Sequence, residues 1–291
     1  MALSGLLAAC LVVPAGPGAA GTAHACVTRS AAETSTGRGD ATVSMAPAAA
    51  VQRDFQKRPS IHPAQKLMAS SVGVVWNVFY DEKNPSDGNI TDAAIAKQLN
   101  VVNHAFSPIG LSFNLQQVNR HGVPRSVLHG VAQGSQDEAR IMQSHQGNQQ
   151  ILNIFSVHAD ATRGWSTYPW DCNSRPGDDG VVLSYDTMPG GTRPHHHQGK
   201  TAINLIGHWA GLWSTYQGGC SGDGDYVSDT PAEASPAVGC PTGRNTCPQP
   251  GADPIHNYMD DSNDNCRNRF TSGQYQRITG ILAQYRGIRL S

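Results

Sequence analysis

The first sustained apolar signal along the chain is "VGVVWNVFY" (72–80), rich in β-branched and aromatic residues, which predicts a buried strand. "NPSDGN" follows as a loop. Thr91 then stands where a helix cap is wanted, and Ile95, Leu99, Val102 and Phe106 recur at three- and four-residue steps. That spacing predicts a helix over 92–106. "LSFNLQQV" (111–118) alternates and predicts a second strand, "DEARIMQSH" (137–145) a short helix, and "QILNIFSV" (150–157) and "GVVLSY" (180–185) the third and fourth strands. "KTAINLIGHWAGL" (200–212) predicts a helix that stops near Gly211. Beyond it the pattern is irregular until "SGQYQRITGILAQYR" (272–286), a closing amphipathic helix with Tyr275, Ile278, Ile281, Leu282 and Tyr285 on its apolar side. No internal repeat is visible. The order is α+β: strands and helices first, then a loop-rich lobe ending in a helix. A cleft between the lobes is where a substrate is expected.

The N-terminal residues "MALSGLLAACLVVPAGPGAAGTAHAC" combine a short apolar run with small residues, and Ala23-His24-Ala25 fits a leader-peptide cleavage site before Cys26. Residues 1–25 are therefore expected to be a signal peptide. Pro14 and Pro17 interrupt the run, which is too short to anchor in a bilayer, and no later segment reads as a span. The expectation is a secreted, extracellular protein with no membrane partner. Residues 27–50 are Ala/Ser/Thr-rich without apolar periodicity and are expected to bury no core. Segment 26–66 reads as a low-complexity propeptide or linker, and 67–291 as the folded domain.

Length and charge narrow the picture further. The 291 residues suffice for one large domain or two lobes, and 21 basic against 22 acidic residues give a formal net charge of −1. Nothing in that balance points to nucleic acid. Charged residues make up only 15%, with 31 glycines and 18 prolines, which agrees with the loop-rich second lobe. Cys10 leaves with the leader, and Cys26, Cys172, Cys220, Cys240, Cys247 and Cys266 remain. An even count in an exported chain implies disulfides, and the absence of any C-x-x-C pair argues against a zinc ribbon. Asn89-Ile90-Thr91 is an N-glycosylation sequon.

"GKTAINLIGHWAGLWSTYQGGCSGDGDYVSDTPAEASPAVGCPTGRNTC", then "DPIHNYMDDSNDNC" and "FTSGQ", resembles the secreted pappalysin (cytophagalysin) metalloproteases, a metzincin family, and fungal extracellular members in particular. "GWSTYPW" and "DDGVVL" extend the resemblance, which runs from about Val72 to the C-terminus. It implies a two-lobed fold: a twisted mixed sheet with an active-site helix, an upper lobe to about residue 211, and a disulfide-stapled lower lobe over 212–291. The metzincin motif is H-E-x-x-H-x-x-G-x-x-H followed by a Met-turn. Its two helical histidines share a face, its glycine turns the chain toward a third, and three imidazoles leave one zinc position open for water. The glutamate moves that water's proton.

Laid on this chain, the motif reads N-L-I-G-H-W-A-G-L-W-S. His208 is the one retained zinc ligand; Asn204 and Ser214 occupy the other two ligand positions, and Leu205 the general-base position. Met259 falls at the Met-turn, and Asp261 stands where the family usually has a tyrosine. Amide and hydroxyl are poor zinc donors beside imidazole, and loss of a general base alone costs roughly two to four orders of magnitude in rate. The expectation is a secreted pseudoprotease that binds no zinc and has no catalytic residue, whose old cleft takes a peptide or protein ligand. The alternatives are an active secreted metalloendopeptidase cleaving extracellular proteins and a purely structural protein.

Other features are weaker. His208 also reads as a packed helix histidine without metal. His195-His196-His197 offers imidazoles, but adjacent residues rarely converge on one tetrahedral ion. Asp223, Asp225 and Asp229 could hold calcium, as some family members do nearby, or simply form turns. The resemblance implies the disulfides Cys220–Cys247 and Cys240–Cys266; Cys26 and Cys172 are left over.

Overall fold

A computed structural model describes residues 45–57, 70–159, 161–172 and 175–290 of the chain. The expected signal peptide, Cys26 and most of segment 26–66 lie outside the described residues. The upper lobe is built on five strands: β1 (Ser70–Asp81), β2 (Leu111–Val123), β3 (Ile151–Val157), β4 (Gly164–Ser166) and β5 (Val181–Ser184). They lie in the order β2-β1-β3-β5-β4; β2, β1, β3 and β5 run parallel, and the edge strand β4 is antiparallel to β5. The helices are α1 (Met45–Lys57), α2 (Asp92–Phe106), α3 (Arg125–Gly130), α4 (Gln136–Met142), α5 (Lys200–Trp209) and α6 (Ser272–Ile281).

The parallel strands are covered on both faces, which is why β1 reads as a nearly unbroken apolar run. Val72, Val74, Trp76 and Val78 point to one side and pack with Leu99, Val102 and Phe106 of α2 and Ile203, Ile206 and Trp209 of α5. Phe79 points to the other and joins Leu128 of α3, Ile141 and Met142 of α4, and Phe155 and Val157 of β3. The alternation along the strand thus sends successive side chains to two separate cores. Thr91 caps α2, its hydroxyl accepting from the Ala94 amide at 3.2 Å.

Irregular chain makes up most of the lower lobe before α6. Thr271 and Gln274 form a reciprocal capping box at the start of α6. Disulfides join Cys220 to Cys247 and Cys240 to Cys266, the same pairs the resemblance implies. Cys172 is also disulfide-bonded. The lobes are tied by Arg286, which is fully buried. Its guanidinium clamps Asp179 with bonds of 2.6 and 3.0 Å, donates to the Trp209 carbonyl at 3.1 Å, and lies 3.8 Å from the centre of the Trp209 ring.

The structure departs from the sequence reading in several places. Helix α1 begins inside the stretch expected to bury no core, and there Ala48 is fully buried. Ala48, Val51 and Phe55 recur at helical steps across residue 50, so a window ending there misses the period. They pack against Trp170, Trp213, Ile281 and Tyr285. Gln52 accepts from Arg277 and Asp54 from the Tyr285 hydroxyl, each at 2.7 Å. Strand β4 and helix α3 were not legible, being too short to show a period. The helix expected over 200–212 stops at Trp209, and the one expected over 272–286 gives way at Leu282 to a wider π turn through Arg286.

Candidate functional site

Helix α5 crosses beneath the edge strand, and Thr201 through Trp209 are all buried. Asn204 and His208, four residues apart, lie on one face of it. The Asn204 amide donates to the Tyr258 carbonyl at 2.9 Å, fastening the helix to the turn that contains Met259. Leu205 is 5% exposed, belongs to the main core, and abuts β4: a β-carbon on Gly164 would meet its Cδ1 at 2.8 Å. His208 is 8% exposed. Its Nδ1 lies 2.8 Å from the Leu212 carbonyl and 3.2 Å from the Tyr168 hydroxyl. Tyr168 in turn stacks on Trp170 and touches Trp213, so the histidine sits against an aromatic wall.

The exit from α5 depends on Gly211. Its φ of +98° is open to glycine, and a β-carbon there would come within 2.4 Å of Ile281. The Gly211 and Leu212 amides donate to His208 and Gly207, closing the helix. The chain then runs to Ser214, which is buried, and the Thr215 amide donates to the Met259 carbonyl at 3.2 Å. Met259 is fully buried beneath the helix. Asn257 orients that turn: its side-chain oxygen accepts from the Met259 amide at 2.9 Å, and it exchanges bonds with Gln274. Asp261 forms an ion pair with Arg163, the residue before β4, and so bridges the turn to the edge strand.

A cavity of about 180 Å³ opens beside this face, lined by Arg163, Gly164, Arg193, His196, Asn204 and Leu205 among others. Its cations are matched: Arg193 pairs with Asp186 and Arg267 with Asp264. Burial acts to raise the Asp264 carboxyl, but His196, the Arg267 charge and the Gln198 amide outweigh it and hold it down to about 2.

The other sequence candidates do not gather here. His195 and His197 are exposed, whereas His196 turns inward to face Asp264 at 3.6 Å. Asp223 is exposed. Asp225 is buried and takes hydrogen bonds from Thr230 and the Val227 amide, and burial pushes its carboxyl up to about 7. Asp229 caps the start of α6 through Thr271 and Gly273. Asn89 is exposed in the loop before α2, and the sequon threonine is the α2 cap. His256 lies near Cys240 and Cys266, but those sulfurs are joined to each other. Arg163 belongs to no motif legible in the sequence, Tyr168 falls within "GWSTYPW" without a role legible there, and only the fold brings the two to the α5 site.

Comparisons with known proteins agree with this architecture. The model of the peptidase M43 family, described as pregnancy-associated plasma protein-A, matches residues 135–283. An extracellular metalloprotease of Neurospora crassa is 38% identical, over 80% of this chain and 84% of the relative. One from Sordaria macrospora is 40% identical, over 75% and 76%. Among solved structures, mature mirolysin of Tannerella forsythia in complex with a cleaved peptide superimposes with a TM-score of 0.64 at 24% identity, covering 76% of this chain and 96% of that one.

Proposed function

We propose, for a chain that belongs to the peptidase M43 (pappalysin) family of metzincin-type metalloproteases, that the fold serves here as a secreted peptide-binding protein without peptide-bond hydrolysis. One observation carries this reading: Leu205, in the general-base position, is packed into the core against Gly164 of β4. An aliphatic side chain accepts no proton, and this one is fixed by its packing.

A family-type zinc site wants three imidazoles. The helix and its exit offer one, His208, with a carboxamide at Asn204 whose N–H is spent on the Tyr258 carbonyl, and a hydroxyl at Ser214. That donor set does not fit a resident zinc ion. Asp261, in the position of the family's tyrosine, is engaged by Arg163.

What remains is suited to holding a peptide. β4 is an edge strand with one side unpaired, placed directly over α5, and an extended peptide can add to such an edge. The fold match to mirolysin with a cleaved peptide supports a peptide occupant in this cleft. Secretion is supported by the relatives, which are named extracellular metalloproteases, and by the leader expected over residues 1–25. No helix among the described residues is long and apolar enough to cross a membrane.

The relatives' names favour a second reading, an active secreted metalloprotease. Casein hydrolysis by the purified secreted protein, with and without chelator, separates the two when His208→Ala is run alongside. The expected result is no cleavage above background. Chelator-sensitive cleavage that His208→Ala abolishes would overturn the proposal.

A further inference from the structure

Four parallel strands of the sheet deliver one polar side chain each to a common point beyond their carboxyl ends. Asp87 lies in the loop after β1, His129 on α3, which follows β2, His158 directly after β3, and Tyr185 directly after β5. The carboxyl edge of a parallel sheet is where crossing loops leave a crevice for ligands. Here the crevice is an open cavity of about 490 Å³ lined by these four residues with Asn84, Ser86 and Arg125.

The side chains converge. One ligand atom each from Asp87, His129 and His158 lie within 4.8 Å of one another. His129 Nε2 is 2.9 Å from Asp87 Oδ2, the two imidazoles stack with centroids 4.2 Å apart, and His158 Nδ1 is 2.9 Å from the Tyr185 hydroxyl. That hydroxyl donates to Asp87 Oδ1. All three candidate ligands are half-buried.

From this geometry we propose that Asp87, His129 and His158 form a binding site for a divalent transition-metal ion of the zinc type, separate from the α5 cleft. Two imidazoles and one carboxylate suit zinc and its first-row neighbours, and leave further positions for water or an exogenous ligand. A tetrahedral ion with bonds of about 2.0–2.1 Å needs its ligand atoms roughly 3.4 Å apart, so no pair has to close by more than about 1.4 Å, while His129 Nε2 and Asp87 Oδ2, now 2.9 Å apart, part slightly. Half-buried rings facing an open cavity have room for that movement. Tyr185 supplies the outer hydrogen bond that fixes carboxylate orientation in such sites. Arg125 now supplies the countercharge: its guanidinium is 2.7 Å from Asp87 Oδ2, but its side chain is 61% exposed and can withdraw into solvent when an ion enters.

The test uses the full secreted chain, stripped of metal and titrated with Zn²⁺ by calorimetry and with Co²⁺ by visible absorption. One ion per chain is expected. His129→Ala with His158→Ala should weaken binding by about a hundredfold or more. Arg125→Gln should tighten it several-fold, and His208→Ala and the joint replacement of His195, His196 and His197 by alanine should leave it unchanged. Should the double variant not fold, diethylpyrocarbonate labelling of the unmodified chain answers the same question: Zn²⁺ should protect His129 and His158. Unchanged binding in the double variant, loss of binding in His208→Ala, or protection confined to His195–His197 would overturn the site.

Discussion

Gly207 lies so close to Met259 that a β-carbon on the glycine would stand 2.5 Å from the methionine sulfur. The helix and the turn below it are therefore fitted backbone to side chain. Gly207→Ala should cost about 1–3 kcal/mol through overpacking, and Met259→Ala about 2–5 kcal/mol through the cavity it leaves. Because each change relieves the other, the double variant should cost less than the sum, as read from urea denaturation midpoints. Additive costs would show that the two residues are not in contact.

The buried clamp between Arg286 and Asp179 predicts a different kind of loss. Asp179→Ala leaves a guanidinium without its carboxylate in a dry interior, which costs about 3–5 kcal/mol. Arg286→Met, which keeps length and apolar contact with Trp209, should cost less only when Asp179 is neutralised in the same chain. Chemical denaturation of the four variants of that cycle measures the coupling.

Glu233 makes stability depend on pH. Burial, then the nearby Asp260 charge, pushes its carboxyl up to about 8; Arg244 opposes this but is shared with Asp253. A carboxyl whose folded value exceeds its unfolded value of 4.5 binds more protons in the native state. Its contribution is therefore fully present below the unfolded value and is lost as pH rises toward 8. Glu233→Gln should flatten that part of the profile and raise stability on its alkaline side. A thermal melting series from acid to pH 9 checks it; a wild-type profile rising through that window would contradict the assignment.

The inactive reading of the α5 cleft can be challenged by reversal. Asn204→His, Leu205→Glu, Ser214→His and Asp261→Tyr together should yield chelator-sensitive casein cleavage. The last change also releases Arg163 from its ion pair. Tight zinc binding at α5 without cleavage would mean that the substrate cleft has diverged beyond these four positions.

How much of this was legible varies with the range of the interactions. Helix α2 could be bounded at both ends, because its cap and its apolar spacing are local. The strand cores of β1, β3 and β5 were likewise visible as short apolar runs. Strand β4 was not: "GWS" is three residues, and it is a strand only because β5 lies beside it. The family resemblance suggests motif positions on α5, but not what Asn204 and Leu205 touch. Their partners, Tyr258 and Gly164, are some forty to fifty residues away. Asp87, His129 and His158 are likewise spread along the chain, Asp87 and His129 being 42 residues apart, and only the parallel sheet brings them together.

Helix α1 holds its place through Ala48, Val51 and Phe55 against Trp170, Trp213 and Tyr285, and through Gln52 and Asp54 to Arg277 and Tyr285. While it shares a chain with β1, that docking is intramolecular, at an effective concentration on the order of millimolar. With the Cys172 disulfide reduced, a single cleavage between α1 and β1 would make the contact bimolecular. The helix would then remain seated only above its own dissociation constant, so dilution into the surroundings would decide when those rings meet water.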